Sequence, residues 1–89
     1  MNNTFHRSGD AMPHLIVKLW PGKSERQKQR LAQMLSENVQ SVLQIGADSV
    51  SVAFEEVRPG DWVDQVYAPD IQAKWDKLYI KPGYTAADL

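Results

Sequence analysis

Two short alternating strands flank one long amphipathic helix in this 89-residue chain, and that order leaves few folds open. Residues 14–20, HLIVKLW, read as the first strand, with Leu15, Val17 and Leu19 alternating with His14, Ile16, Lys18 and Trp20. One face is aliphatic and the other holds Ile16 and Trp20, so cover is expected on both. Pro21-Gly22 ends the strand. Ser24 opens a helix predicted over 25–45, about 31 Å long at 1.5 Å per residue. Ser24-x-x-Gln27 fits a capping box, and Glu25 suits the positive end of the helix dipole. Leu31, Leu35, Val39 and Val42 recur at helical spacing, widened by Met34 and Leu43, and Gly46 suits the position past the helix end. Residues 49–57, SVSVAFEEV, read as the second strand. The order predicts an α+β subunit: a βαβ unit with parallel strands, one long helix and a right-handed crossover.

Such a unit cannot close a core unaided. A domain of about 60 residues hides only about 60% of its unfolded surface. This chain is little longer and has no cysteine to staple it. A homo-oligomer is therefore expected, two units pairing into a larger sheet under a helix layer. Beyond the second strand, residues 58–61 read as a turn, with Asp61 capping a short helix through 67. Pro69 and Asp70 punctuate before a second short helix over 71–79. KPGY at 81–84 ends the pattern, and TAADL reads as a loose tail.

Ten Lys+Arg against eleven Asp+Glu give a formal charge of -1, which excludes a strongly basic nucleic-acid binder and an acidic tail protein. No apolar run approaches the roughly 18 residues of a membrane span. Without cysteine there is no thiolate metal site and no Cys nucleophile. Phosphate-cradling loops, a nucleophile elbow and a zinc signature are also missing. His6 and His14 do not make a two-His site, and no metal or other cofactor is expected. Glu55 and Glu56 point to opposite faces of a strand and cannot share one substrate atom. Residues 1–11 are polar and aperiodic, Phe5 being their one large apolar side chain after Met1. They read as an expression remnant, a mis-assigned start or a loose arm, and otherwise as an arm over a partner or a site. They hold no secretory signal, so the cytoplasm is the expected location.

Met12-Pro13 stands immediately before the first strand. If translation starts at Met12, the small Pro13 permits removal of the methionine and leaves a free secondary amine. An α-amino group titrates at about 7.7–8.0, lower beside a cation or in an apolar pocket. A general base works best near ambient pH. The plainer reading is that Pro13 sets an extended backbone leading into a strand. Lys23 lies in the turn at the other end of that strand, roughly 20 Å away at 3.3 Å per residue. The two could meet only through a second subunit, and alone Lys23 reads as a surface turn lysine.

Met-Pro before a strand, then PGKSERQK, a long helix and SVSVAFEEV together resemble the 4-oxalocrotonate tautomerase family. Met12-Pro13-His14, Trp62 after the second strand and Lys81–Tyr84 bring the likeness closest to its bacterial phenylpyruvate-tautomerase-like branch. The resemblance covers residues 12 to about 84, with 1–12 as an extension and 13–89 as the tautomerase domain. It implies βαβ subunits pairing into dimers or trimers of dimers, a dimer favoured, and cofactor-free keto–enol tautomerisation with Pro13 as general base. Lys23 stands where the family often has an arginine for the substrate's carboxylate or carbonyl, and it lacks the planar fork for a bidentate grip. Trp62 matches an aromatic wall that excludes water. Better-known members carry a second arginine where this chain has Ser51. The implied substrate is therefore a 2-oxo monocarboxylic acid with an apolar or aromatic tail, such as phenylpyruvate. Trp62, Tyr67 or Trp75 could line the tail pocket, although Tyr67 and Trp75 read first as core or interface. His14 could hydrogen-bond across the sheet edge. If residues 1–12 stay attached, Pro13 nitrogen is a tertiary amide and no base, and the chain becomes a silent binding homologue. Hydration or dehalogenation of a small unsaturated acid, with a protonated proline as acid, is the remaining alternative.

Overall fold

A computed structural model describes residues 11–89 of the chain. The expected extension therefore lies outside the described residues except for Ala11 and Met12, and His6 lies outside them too. Strand β1 (His14–Leu19) leads through a turn to helix α1 (Glu25–Leu43), and β2 (Ser51–Glu56) pairs with β1 in a two-stranded parallel sheet. The register is the same at both ends: Ser51 N–H donates to Pro13 C=O at 3.2 Å and Val57 N–H to Leu19 C=O at 2.9 Å. The described chain divides into two compact units. One ends its first stretch at Val17 and resumes over Gly22–Glu55, and the other holds Lys18–Pro21 and Glu56–Leu89.

In the first unit the helix starts where the sequence places it. Ser24 Oγ accepts from Gln27 N–H at 3.1 Å and Gln27 Oε1 accepts from Ser24 N–H at 3.0 Å, the reciprocal capping box. Its end differs from expectation. The last helical residue is Leu43, and Gln44, not Gly46, takes the left-handed conformation at φ 58°. Ile45 N–H reaches back to Gln40 C=O at 3.1 Å, and Gln44 Nε2 to Ser41 C=O at 2.8 Å, so local bonds hold a glutamine where glycine is usual. Gly46 instead precedes a short 3₁₀ turn, Ala47–Ser49, which delays β2 by two residues relative to the expected strand.

The side chains of His14 and Ser51 meet, so they share a sheet face, and alternation puts Val52 and Phe54 on the other. Those two line a cavity with Glu25, Lys28, Gln29 and Ala32, which identifies the face under α1. The opposite face carries Ile16, 50% exposed. No residue of α1 is buried. The stripe expected to be covered is partly bare, with Leu31 40% and Val42 78% exposed.

The second unit has a core. Trp62, Val66 and Tyr67 are buried, with Val57, Ile71 and Tyr84 packed against them. A 3₁₀ turn, Pro59–Asp61, leads into a π-helical segment, Val63–Gln72. This replaces the two short helices expected on either side of Pro69. Proline breaks an α-helix by removing an N–H bond to residue i−4 and clashing there. Here the bonding is i→i−5, and the ladder resumes beyond Pro69 with Ala73 N–H to Ala68 C=O at 3.0 Å. A 3₁₀ turn, Trp75–Lys77, follows. The tail is ordered rather than loose: Thr85 and Asp88 form a second capping box, and Ala86–Asp88 is a 3₁₀ turn. Among the described residues no helix is long and apolar enough to cross a membrane.

Candidate active site

Pro13 stands half-buried at the head of β1, its carbonyl bound by Ser51 N–H at 3.2 Å. Ser51 holds the next residue as well, since its Oγ lies 2.6 Å from His14 Nδ1. One serine thus ties the start of β1 by backbone and by side chain, which fixes the peptide plane that follows the Pro13 ring. Ahead of it, Ala11 and Met12 have φ of 46° and 54°. That left-handed backbone costs a residue other than glycine roughly 1–2 kcal/mol, and a residue before proline prefers to be extended. While Met12 is attached, the Pro13 nitrogen is an amide without a basic lone pair.

Lys23 is exposed in the turn between β1 and α1. Gly22 before it has φ +123°, a conformation that suits glycine, and Ser24 after it caps the helix. The turn is therefore held on both sides of the lysine. The six residues of β1 separate Pro13 from Lys23, roughly 20 Å of extended chain. One protomer does not bring the two together.

Trp62 belongs to the second unit. It is 9% exposed, and its indole N–H donates to Tyr84 Oη at 3.2 Å. Trp20 meets it edge to face, with centroids 6.4 Å apart and planes at 85°. These residues, with Lys18, Leu19 and Leu89, line a cavity of about 350 Å³. Lys18 Nζ is 2.6 Å from Asp70 Oδ2. Tyr67 does not line this cavity: it is buried in the core, 5.8 Å from the Tyr84 ring. Trp75 lies under the Lys81 ammonium at 5.5 Å, a cation–π contact. The cavity's other aromatic walls, Trp20 and Tyr84, were not singled out from sequence as pocket residues. Trp20 on the mixed face of β1 and Tyr84 in KPGY were the available signals. Among the described residues no group of three or more His, Asp or Glu could hold a metal ion.

A family model described as tautomerase enzyme matches residues 13–67. A protein of Xylella fastidiosa named "probable tautomerase" is 45% identical over 73 residues, covering 82% of this chain and 89% of that one. Tautomerase PptA of Pectobacterium carotovorum is 41% identical over 75 residues, covering 83% of this chain and 99% of its own. Among solved structures, SAR1376 of methicillin-resistant Staphylococcus aureus, a proposed 4-oxalocrotonate tautomerase, superposes with a TM-score of 0.52 at 29% identity. The match covers 54% of this chain and 77% of that one. YwhB, a homologue of 4-oxalocrotonate tautomerase, gives a TM-score of 0.50 at 28% identity over 52% and 75% of the two chains. With its parallel βαβ unit and these relatives, the chain belongs to the tautomerase family, and so to the isomerases.

Proposed function

We propose that the working protein begins at Pro13 and that residues 1–12 are an extension outside a tautomerase domain spanning 13–89. It converts the enol of a 2-oxo monocarboxylic acid with an aromatic tail, such as phenylpyruvate, to the keto form. The observation that carries this reading is Pro13 itself: the family match starts on it, and Ser51 anchors its carbonyl at the head of β1. The strained backbone of Ala11 and Met12 supports it too, because a chain freed of them loses no strand hydrogen bond made through Pro13 C=O.

In the reaction the Pro13 amine accepts the proton of the enol hydroxyl. The oxygen's electron pair forms the C=O bond, the C=C pair moves to C3, and C3 takes the proton from the prolinium. No atom is gained or lost and no cofactor takes part. Lys23 steadies the carboxylate or the developing oxyanion, and Trp62 keeps water away. Pro13 and Lys23 sit at opposite ends of β1, so a shared substrate needs Lys23 of a neighbouring protomer. A homo-oligomer, first of all a dimer, is the assembly proposed, and the exposed Ile16, Leu31 and Val42 are surfaces it would cover.

The test is ketonisation of phenylenolpyruvate by a chain whose processing to Pro13 is confirmed by mass. It should exceed its Pro13→Ala form by about 10²–10⁴, the worth of a positioned general base. The rate should fall as pH drops through the amine's pKa, because the neutral form is the base. Equal rates for the two forms would overturn the reading. A rate that rises with the protonated amine would favour hydration or dehalogenation of an unsaturated acid. A protein whose mass in its own cells begins at Met1 would favour the silent homologue.

A further inference from the structure

We propose that Ser51 and His14 are positioning residues of the proline base: together they clamp the Pro13–His14 peptide and so aim the Pro13 amine. The proposal rests on the tautomerase reading above and names what holds its base in place.

In a chain that starts at Pro13, no peptide precedes the base. The pyrrolidine ring fixes the nitrogen relative to its own Cα, so the aim of the amine is set by the peptide that follows. That amine must reach two atoms of one substrate, the enol oxygen and C3. Reacting atoms need to lie about 3–3.5 Å apart, and a misplacement of about 1 Å can cost roughly 10²-fold in rate. A tether on one side meets that demand only if the first peptide is itself held.

Ser51 holds this peptide at two points. Its N–H donates to Pro13 C=O at 3.2 Å, and its Oγ lies 2.6 Å from His14 Nδ1. Either neutral tautomer makes the second bond: Nδ1–H donates to Oγ, or a bare Nδ1 accepts from the hydroxyl. The first contact restrains the carbonyl. The second restrains the residue beyond the amide, so the peptide plane cannot swing about the carbonyl bond. The side-chain pair is exposed, and a hydrogen bond open to water is weak alone. Here the sheet brings the partners together beforehand. His14 opens β1 and Ser51 opens β2, and parallel pairing sets them side by side. The register is locked at the far end by Val57 N–H on Leu19 C=O at 2.9 Å. Val50 and Val52 flank Ser51 with the branched side chains that strands favour, and what serine adds between them is a hydroxyl.

The test compares kcat and KM for phenylenolpyruvate in chains processed to Pro13. Ser51→Ala should lower kcat about tenfold and leave KM within about twofold, with helix and strand content unchanged. Ser51→Thr, which keeps the hydroxyl, should restore the rate. His14→Asn keeps a polar atom near the place of Nδ1 and should stay within about threefold of the parent, whereas His14→Gln carries it one bond further and should lose about tenfold. The double variant Ser51→Ala/His14→Gln should lose no more than either alone, because both remove one bond. A rise in KM at constant kcat overturns the proposal, since Ser51 would then touch substrate rather than hold the base. An unchanged kcat in Ser51→Ala overturns it as well, as do losses that multiply in the double variant. Pro13→Ala as active as its parent would overturn the base reading and with it the aiming role. The clamp is read apart from that chemistry: in the full chain, the His14 Nδ1 resonance should shift in Ser51→Ala. A resonance that stays in place overturns the clamp even where Pro13 is the base.

Discussion

The two units of this chain keep their shape by different means. The unit holding α1 and most of the sheet is shaped by local, directional signals: a reciprocal capping box, a parallel register and a serine that ties the head of β1. No residue of its helix is buried. The unit that ends the chain has few regular elements but owns a buried aromatic and aliphatic cluster, Trp62, Val66 and Tyr67. Hydrogen bonds and caps choose a conformation for little net free energy, about 0.5–1.5 kcal/mol each. Burial of large side chains supplies most of the stabilisation. The difference teaches that the first unit has its geometry specified before its apolar surface is covered, a condition suited to a subunit finished by a partner.

The comparison breaks if the aromatic cluster is dispensable. Tyr67→Ala should cost about 3–5 kcal/mol of unfolding free energy in urea titrations, the usual range for deleting a buried aromatic ring. A loss below about 1 kcal/mol would mean that the cluster is not the anchor of its unit. The next effect is on assembly. Leu31→Ser and Val42→Ser change side chains already 40% and 78% exposed in the protomer. Combined, they should weaken self-association by at least tenfold in sedimentation, the scale of about 1.5–3 kcal/mol for apolar side chains no longer buried. Unchanged association would show that α1's outer stripe faces solvent in the assembly too. A smaller effect tests the local signals. Ser24→Ala should cost about 1 kcal/mol by losing the bond to Gln27 N–H.

What could be read from the sequence follows the same division. The helix start was legible because a capping box is written in four consecutive residues, Ser24 to Gln27. The βαβ order was legible because periods of two and near four differ so plainly across residues 14–57. The π-helical segment was not, since proline at 69 argues against an α-helix and no short-range pattern announces i→i−5 bonding. Pro13 and Lys23 stand out as candidate site residues because each sits at a strand end beside a recognisable turn or start. The cavity beside Trp62 was not legible, because Trp20, Trp62 and Tyr84 come from three distant segments and only packing joins them. Trp62 was found through family likeness alone. Tyr67 and Trp75 show the converse: aromatic rings of the same general kind that the fold commits to the core and to Lys81.

The smallest expected effect sits at the helix end, where prediction and structure part. Gln44 adopts φ 58° and ψ 53°, a conformation that glycine reaches without a Cβ penalty of roughly 1–2 kcal/mol. Against that gain stand the Gln44 Nε2 bond to Ser41 C=O at 2.8 Å and glycine's larger unfolded entropy, together about 1 kcal/mol. Gln44→Gly should therefore raise stability slightly, by about 0.5 kcal/mol, with the backbone bond from Ile45 to Gln40 preserved. A rise in Tm of a few degrees would identify the terminus as a strained position held by its neighbours. A fall would mean that the side-chain bond to Ser41 is the principal stop signal. The helix would then end at Leu43 because glutamine is there, and Gly46 would be needed only to start the turn before β2.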